Sequence, residues 1–293
     1  MDFQDFINQV VDCIPEYLLQ YEIDKIHIEQ VHKNNGIICT GMAICLKGES
    51  ITPNIYLEYF YNLYKGGQNM EDVLGLIRDE YNQAHNNIIT KSYNDLSENN
   101  LDECLFLKLV NYEKNKDMLA DCPHIRFLDL AITFRFLVRK DEEGIASAII
   151  RNKDMESWSI SEEELYKIGK ENGRKLFKPS ITPLENILSD ILDGIETADC
   201  YGIQVLTNDI GINGAIYMAY EDILKEYADS IDSDLYILPS SIHEVLLLPY
   251  DEEIKKGDLA SMVKDINEYV VDDMDFLSDE VYLFTREKGF VIE

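Results

Sequence analysis

The chain has 293 residues, with 56 acidic against 26 basic side chains and a formal net charge of −30. A hydrophobic share of 46% supplies enough apolar material for a core, so the acidity does not signal disorder. The same charge repels phosphate backbones and anionic bilayers, which excludes nucleic acid and membrane surfaces as expected partners; a solvated acidic surface serving solubility is the plain reading, and a cationic partner or metal cation the other.

In chain order, Phe3, Phe6, Ile7, Val10, Ile14, Leu18 and Tyr21 recur at helical steps and predict an amphipathic helix that Pro15 kinks or divides. A hairpin follows over residues 24–46, turning at Lys33-Asn34-Asn35-Gly36. Thr52 and Pro53 read as the cap and first residue of an aromatic helix that Gly66-Gly67 ends. Another helix starts near Asn69, with Val73, Leu74, Ile77 and Tyr81 on one side. The polar stretch 85–100 marks a boundary, giving an N-terminal α+β region over 1–100 and a C-terminal one over 101–293, which could also form one continuous domain.

Residues 103–110 predict a strand and 113–120 a short helix. Residues 125–139 read as one long strand, with Ile132, Phe134, Phe136 and Val138 on one face and Arg135 and Arg139 together on the other. A turn at 141–144 returns the chain through 145–151. Ser161 to Glu164 is a capping box opening a helix that Asn172-Gly173 closes, and Thr182-Pro183-Leu184-Glu185 is a second one. Strands are expected at 201–207, 235–238, 245–248 and 281–285, with helices at 215–229 and 258–271. Hairpins and paired helices without a regular βαβ alternation predict an α+β fold of antiparallel hairpins packed with helices. Ser-Ile-Thr-Pro occurs at 50–53 and 180–183; a chance match of helix-opening residues is the plain explanation, and duplication the other.

No motif assigns a catalytic residue. The turn Ser240-Ser241-Ile242-His243-Glu244 holds the leading candidates: an imidazole that could serve as a base, hydroxyls beside it, and a carboxylate. The metalloprotease pattern needs a second histidine where Leu247 stands, so zinc is not expected there. The Gly-x-x-Gly loop at 208–214 lacks the dinucleotide and P-loop signatures, and Asp209 would repel an anion. Cys122-Pro123-His124 reads as a buried thiol, and the His27, His32, Cys39 and Cys45 spacings match no zinc pattern. The acidic runs at 251–253 and 272–275 lack the features of a calcium loop and read as solvated surface. Residues 101–180 carry 15 acids against 14 bases, nearly neutral within an acidic chain. Arg126, Arg135 and Arg139 in that segment are the candidates for holding an anion. No metal and no cofactor is expected.

Six cysteines without a CxxC pair, an N-terminus without a basic stretch, and no apolar run of bilayer length predict a cytoplasmic protein with reduced thiols. The run Asp234–Pro249, the helix with Met262, Val263, Ile266 and Asn267, the stretch Leu277–Tyr282, and Ile51–Glu58 resemble an uncharacterised, clostridial-type family of about 300 residues known as a domain of unknown function. The resemblance implies a bacterial cytosolic protein and carries no site residue. The expected function is a non-enzymatic binding or regulatory protein. Alternatives are a hydrolase or transferase using the 240–244 turn together with Arg126 or Arg135, and an acidic DNA mimic.

Overall fold

The computed structural model describes residues 1–49, 52–90, 96–141, 144–187, 202–239 and 241–291, with backbone alone at 88–90. The fold is mixed α+β, with three sheets whose strand pairs are all antiparallel. The chain divides into two compact units: Met1–Lys33 with Ile37–Tyr93, and Asn34–Gly36 with Asn94–Glu293.

In the first unit, the Asp2 carboxylate caps helix Phe3–Cys13 by accepting the Asp5 amide at 2.8 Å. Pro15 cannot continue the hydrogen-bond ladder, and the helix gives way to a 3₁₀ turn over Ile14–Tyr17. Strands β1 (Ile23–His32) and β2 (Ile38–Leu46) form the expected hairpin, with Asn35 and Gly36 at positive φ. The expected cap at Thr52-Pro53 is not one: strand β3 (Asn54–Tyr56) intervenes, and the helix starts later, at Leu57–Lys65. The Thr52 hydroxyl instead donates to the Ile44 carbonyl at 2.6 Å. Helix Met70–Thr90 completes the unit, whose core joins Phe6, Val10 and Leu18 to Ile44, Phe60, Ile77 and Tyr81.

In the second unit, strands β4 (Leu105–Asn111), β5 (His124–Phe127), β6 (Leu130–Asp141) and β7 (Gly144–Ile149) make one sheet with β6 at its centre. The single strand expected over 125–139 is thus two. Leu128 takes a positive φ of 58° and folds β5 back on β6. The turn is held by Asp129, which accepts from the Ser278 and Tyr282 hydroxyls. No glycine or proline announces this turn in the sequence.

A six-stranded sheet runs in the order β13-β12-β10-β11-β9-β8, built from β8 (Pro179–Pro183), β9 (Gln204–Asn208), β10 (Leu235–Leu238), β11 (Val245–Pro249), β12 (Tyr282–Thr285) and β13 (Gly289–Val291). The Ser-Ile-Thr-Pro segment at 180–183 lies within β8 and opens into a helical turn at 184–187; the apolar stripe expected beyond it, and residues 50 and 51, lie outside the described residues. One apolar core gathers Leu105, Leu107, Phe134, Phe136, Tyr217, Ile237 and Leu247. Helix Lys256–Tyr269 covers the other face of the six-stranded sheet through Leu259 and Val263.

Two more expectations shift. Asn172-Gly173 does not end its helix, which runs over Glu162–Leu176. Gly173 is there because the Tyr220 hydroxyl would lie 2.7 Å from a Cβ. The helix expected over 215–229 is a buried 3₁₀ segment, Gly214–Ala219, followed by helix Glu221–Ser230.

Candidate functional site

Strand β4 reads Leu-Phe-Leu-Lys-Leu-Val-Asn, with Lys108 the one charge in it. Pairing with β6 sets Lys108 opposite Thr133 and Phe106 opposite Arg135. With a period of two along each strand, Lys108 and Arg135 share a sheet face as diagonal neighbours. Protein surrounds both side chains on nearly all sides, yet each residue keeps some contact with solvent. Both cations are thus largely enclosed while water still reaches part of each residue.

Neither cation has a carboxylate within ion-pair distance among the described residues. The Arg135 Nη2 donates at 3.3 Å to the Ser147 hydroxyl and, at the limit of 3.5 Å, to the Ser147 carbonyl. Its Nε is buried without a partner. Desolvation lowers the Lys108 ammonium to about 7, with the like charge of Arg135 adding to the shift and Asp275 opposing it. Burial likewise lowers the Arg135 guanidinium to about 10.

Asp275 joins this pair to the 240–244 turn. The Ile242 amide donates to the Asp275 carbonyl at 2.8 Å, and Ser241 bridges to Phe276, so the two loop segments run side by side. That alignment brings His243 Nε2 to 3.2 Å from the Asp275 carboxylate. On the other side of the ring, Nδ1 accepts the Asn213 amide at 3.3 Å, which leaves the proton on Nε2 facing Asp275. Thr207 donates to the His243 carbonyl at 2.8 Å. The buried Ser241 hydroxyl accepts the His243 amide at 2.9 Å and is hydrogen-bonded to Glu244. Burial raises the Glu244 carboxyl above its ordinary range, and Asp275 adds to this, while His243 and Ser241 oppose it. The turn is therefore a hydrogen-bonded support in which His243 and Ser241 are both committed to neighbours.

Of the residues singled out in the sequence, His243, Ser241 and Glu244 gather around Asp275, which acts electrostatically on Lys108, the diagonal neighbour of Arg135. Ser240 lies outside the described residues. Arg126 is exposed and stacks on Tyr112, its Cζ 3.6 Å from the ring centroid. Arg139 does not share a face with Arg135 as alternation predicted. A register shift between Leu137 and Arg139 opposes Arg139 to Ala146, and its guanidinium pairs with Asp141 at 2.6 Å. Reading the sequence missed Lys108 and Asp275. The first left a signal, a lone ammonium in a strand apolar on both faces; the second was hidden in an acidic run.

Elsewhere the described surface is less organised. A groove of about 460 Å³ beside β8 is lined by Ile181, Ile223 and Tyr227, and the arginine in it, Arg174, is already paired with Asp222. Among the described residues, no group of three or more His, Cys, Asp or Glu side chains could hold a metal ion.

A sequence family described as a family of unknown function (DUF5688) matches residues 3–286. The chain belongs to this family. The match spans both compact units, so the two together are what the family shares. No curated protein and no solved structure is detectably similar to the chain. No helix among the described residues of this family member is long and apolar enough to cross a membrane.

Proposed function

We propose that the protein is a non-enzymatic binding or regulatory protein whose recess at Lys108 and Arg135 takes a small anionic ligand, a carboxylate or a phosphate. The observation that carries this reading is the buried Arg135 Nε without a partner, beside a second enclosed cation that also lacks an anion. A buried donor left unpaired costs about 1–3 kcal/mol and more when charged, so the orphaned Arg135 Nε, with a second cation on the same face, favours a ligand that satisfies it. The −30 surface argues in the same direction. General attraction of anions is weak on this molecule, and an anion that does bind must be held by local geometry. The engaged ring nitrogens of His243 favour binding over hydrolysis, because no free base faces the recess from that ring.

The acidic exterior supports a basic protein as the partner that reads the ligand-bound state. Five described cysteines, all free, support a reducing cytoplasmic setting. The test is calorimetry and thermal melting of the purified protein with inorganic phosphate, sulfate and short mono- and dicarboxylates. At least one should bind and raise Tm. Arg135→Met should weaken that binding about 100-fold or more, as expected when a charge-assisted contact is lost. An Arg135→Met protein that binds the same anion as tightly as the parent rules the reading out.

A further inference from the structure

Lys108 differs from an ordinary anion-holding lysine in three ways. Its ammonium makes no hydrogen bond and no ion pair within 4 Å among the described residues, although Asp275 is close enough to act on it electrostatically. It stands in a strand with apolar residues on either side, Leu107 and Leu109, both buried in the core, so its backbone is fixed. Its diagonal neighbour Arg135 presents a planar fork suited to a carboxylate, and such diagonal positions lie about 7–8 Å apart at the backbone, within reach of one small molecule for two long side chains. A fixed, enclosed amine with no partner, next to a carboxylate fork, is the arrangement that imine chemistry needs.

We infer that Lys108 captures the carbonyl carbon of a 2-oxo acid as a reversible imine while Arg135 holds the acid's carboxylate. This rests on the anion-binding reading of the same recess and adds a covalent bond to it. The uncharged amine, which burial makes accessible near neutral pH, attacks the carbonyl carbon through its lone pair. The carbonyl π electrons move to oxygen, which takes up a proton, while the nitrogen loses one. Loss of that oxygen as water, with a second proton delivered to it, leaves a protonated carbon–nitrogen double bond, and release of the remaining nitrogen proton gives the neutral imine. The overall change is amine plus ketone giving imine plus water, with no oxidant or reductant. Asp275, close enough to act on the Lys108 ammonium electrostatically, is the carboxylate placed to pass these protons together with water.

The experiment uses the full chain with pyruvate, the smallest 2-oxo acid, and with lactate, which carries the same carboxylate but no carbonyl. Each mixture is treated with cyanoborohydride, which reduces an imine to a stable secondary amine, and the modified lysine is located by peptide mass spectrometry. The expected result is that pyruvate and lactate both raise Tm, and that pyruvate alone leaves an adduct, on Lys108 ahead of every other lysine. Lys108→Arg, which keeps the charge, and Lys108→Met, which keeps the bulk, should both lose the adduct. If both acids bind and no Lys108 adduct forms, the covalent step is overturned and the anion site stands. If neither acid nor any other tested anion binds, both fall. An adduct spread evenly over the lysines, or one that survives in Lys108→Met, also overturns the covalent step.

Discussion

At the scale of single residues, Lys108 sets a pH dependence whose sign follows from its environment. Its folded-state pKa of about 7 lies below the ordinary 10.5. Between those values the unfolded chain holds a proton that the folded chain has released, so stability rises with pH across that window. The burial penalty is fully present below about pH 7 and is relieved as pH climbs towards 10.5. Lys108→Met removes the buried charge and keeps the packing. It should stabilise the ligand-free protein by about 1–4 kcal/mol at pH 6, with the gain fading as pH approaches 10. Urea denaturation of both proteins over a pH series checks this. A gain that stays constant from pH 6 to 10 contradicts the assignment. The residue that matters most here was legible only as an anomaly, a charge where the strand pattern called for an apolar side chain. Arg135 was legible as a member of a cationic cluster, but nothing local separated it from Arg126 and Arg139. The structure separates them by burial, by stacking on Tyr112, and by a bulge that turns Arg139 to Asp141.

At the scale of elements, the position of His243 depends on a close approach of backbones. A Cβ at Gly214 would lie 2.6 Å from the His243 carbonyl oxygen and 2.7 Å from the Thr207 Cα, both backbone atoms that cannot rotate away. A Cβ at Gly173 would meet the Tyr220 hydroxyl at 2.7 Å, the far end of a ring that is itself wholly buried. Gly214→Ala should therefore destabilise by about 3 kcal/mol or more, and Gly173→Ala by about 1–3 kcal/mol. Only the first should also weaken anion binding, because it displaces the turn that carries Asp275's partner. Denaturation and calorimetry on both variants decide the order; equal effects on binding would mean that the 240–244 turn does not support the recess. Helices with local stop and start signals were readable in advance. The Ser161 box is formed as the sequence predicts, with Ser161 Oγ accepting the Glu164 amide at 3.3 Å and the Glu164 carboxylate accepting the Ser161 amide at 2.9 Å. The helix starts at Pro53 and 215 were not, because a paired strand and a buried 3₁₀ segment took those residues for reasons of tertiary packing rather than propensity.

At the scale of the whole molecule, 26 cations cannot neutralise 56 carboxylates, whatever their arrangement. Ion pairs such as Lys47–Glu22, Arg174–Asp222 and Arg286–Asp232 are solvent-exposed to differing degrees and worth little each. Net repulsion outweighs them. Raising salt from about 0.01 M to about 0.5 M shortens the screening length from about 30 Å to a few ångströms, and should raise Tm. A Tm that falls over the same range would show that attractive pairs dominate instead.

The sequence by itself determined that this protein is α+β with antiparallel hairpins, since periodicity, caps and turn residues act within a few positions of one another. It also determined the large charge imbalance and the near-neutral stretch that contains Lys108 and Arg135. Only the tertiary structure decided that Lys108, Arg135, Asp275 and His243 belong together. The first two lie more than 100 residues from the last two along the chain, and what joins them is strand register and the pairing of two loops, which depend on the whole sheet burying its apolar face at once.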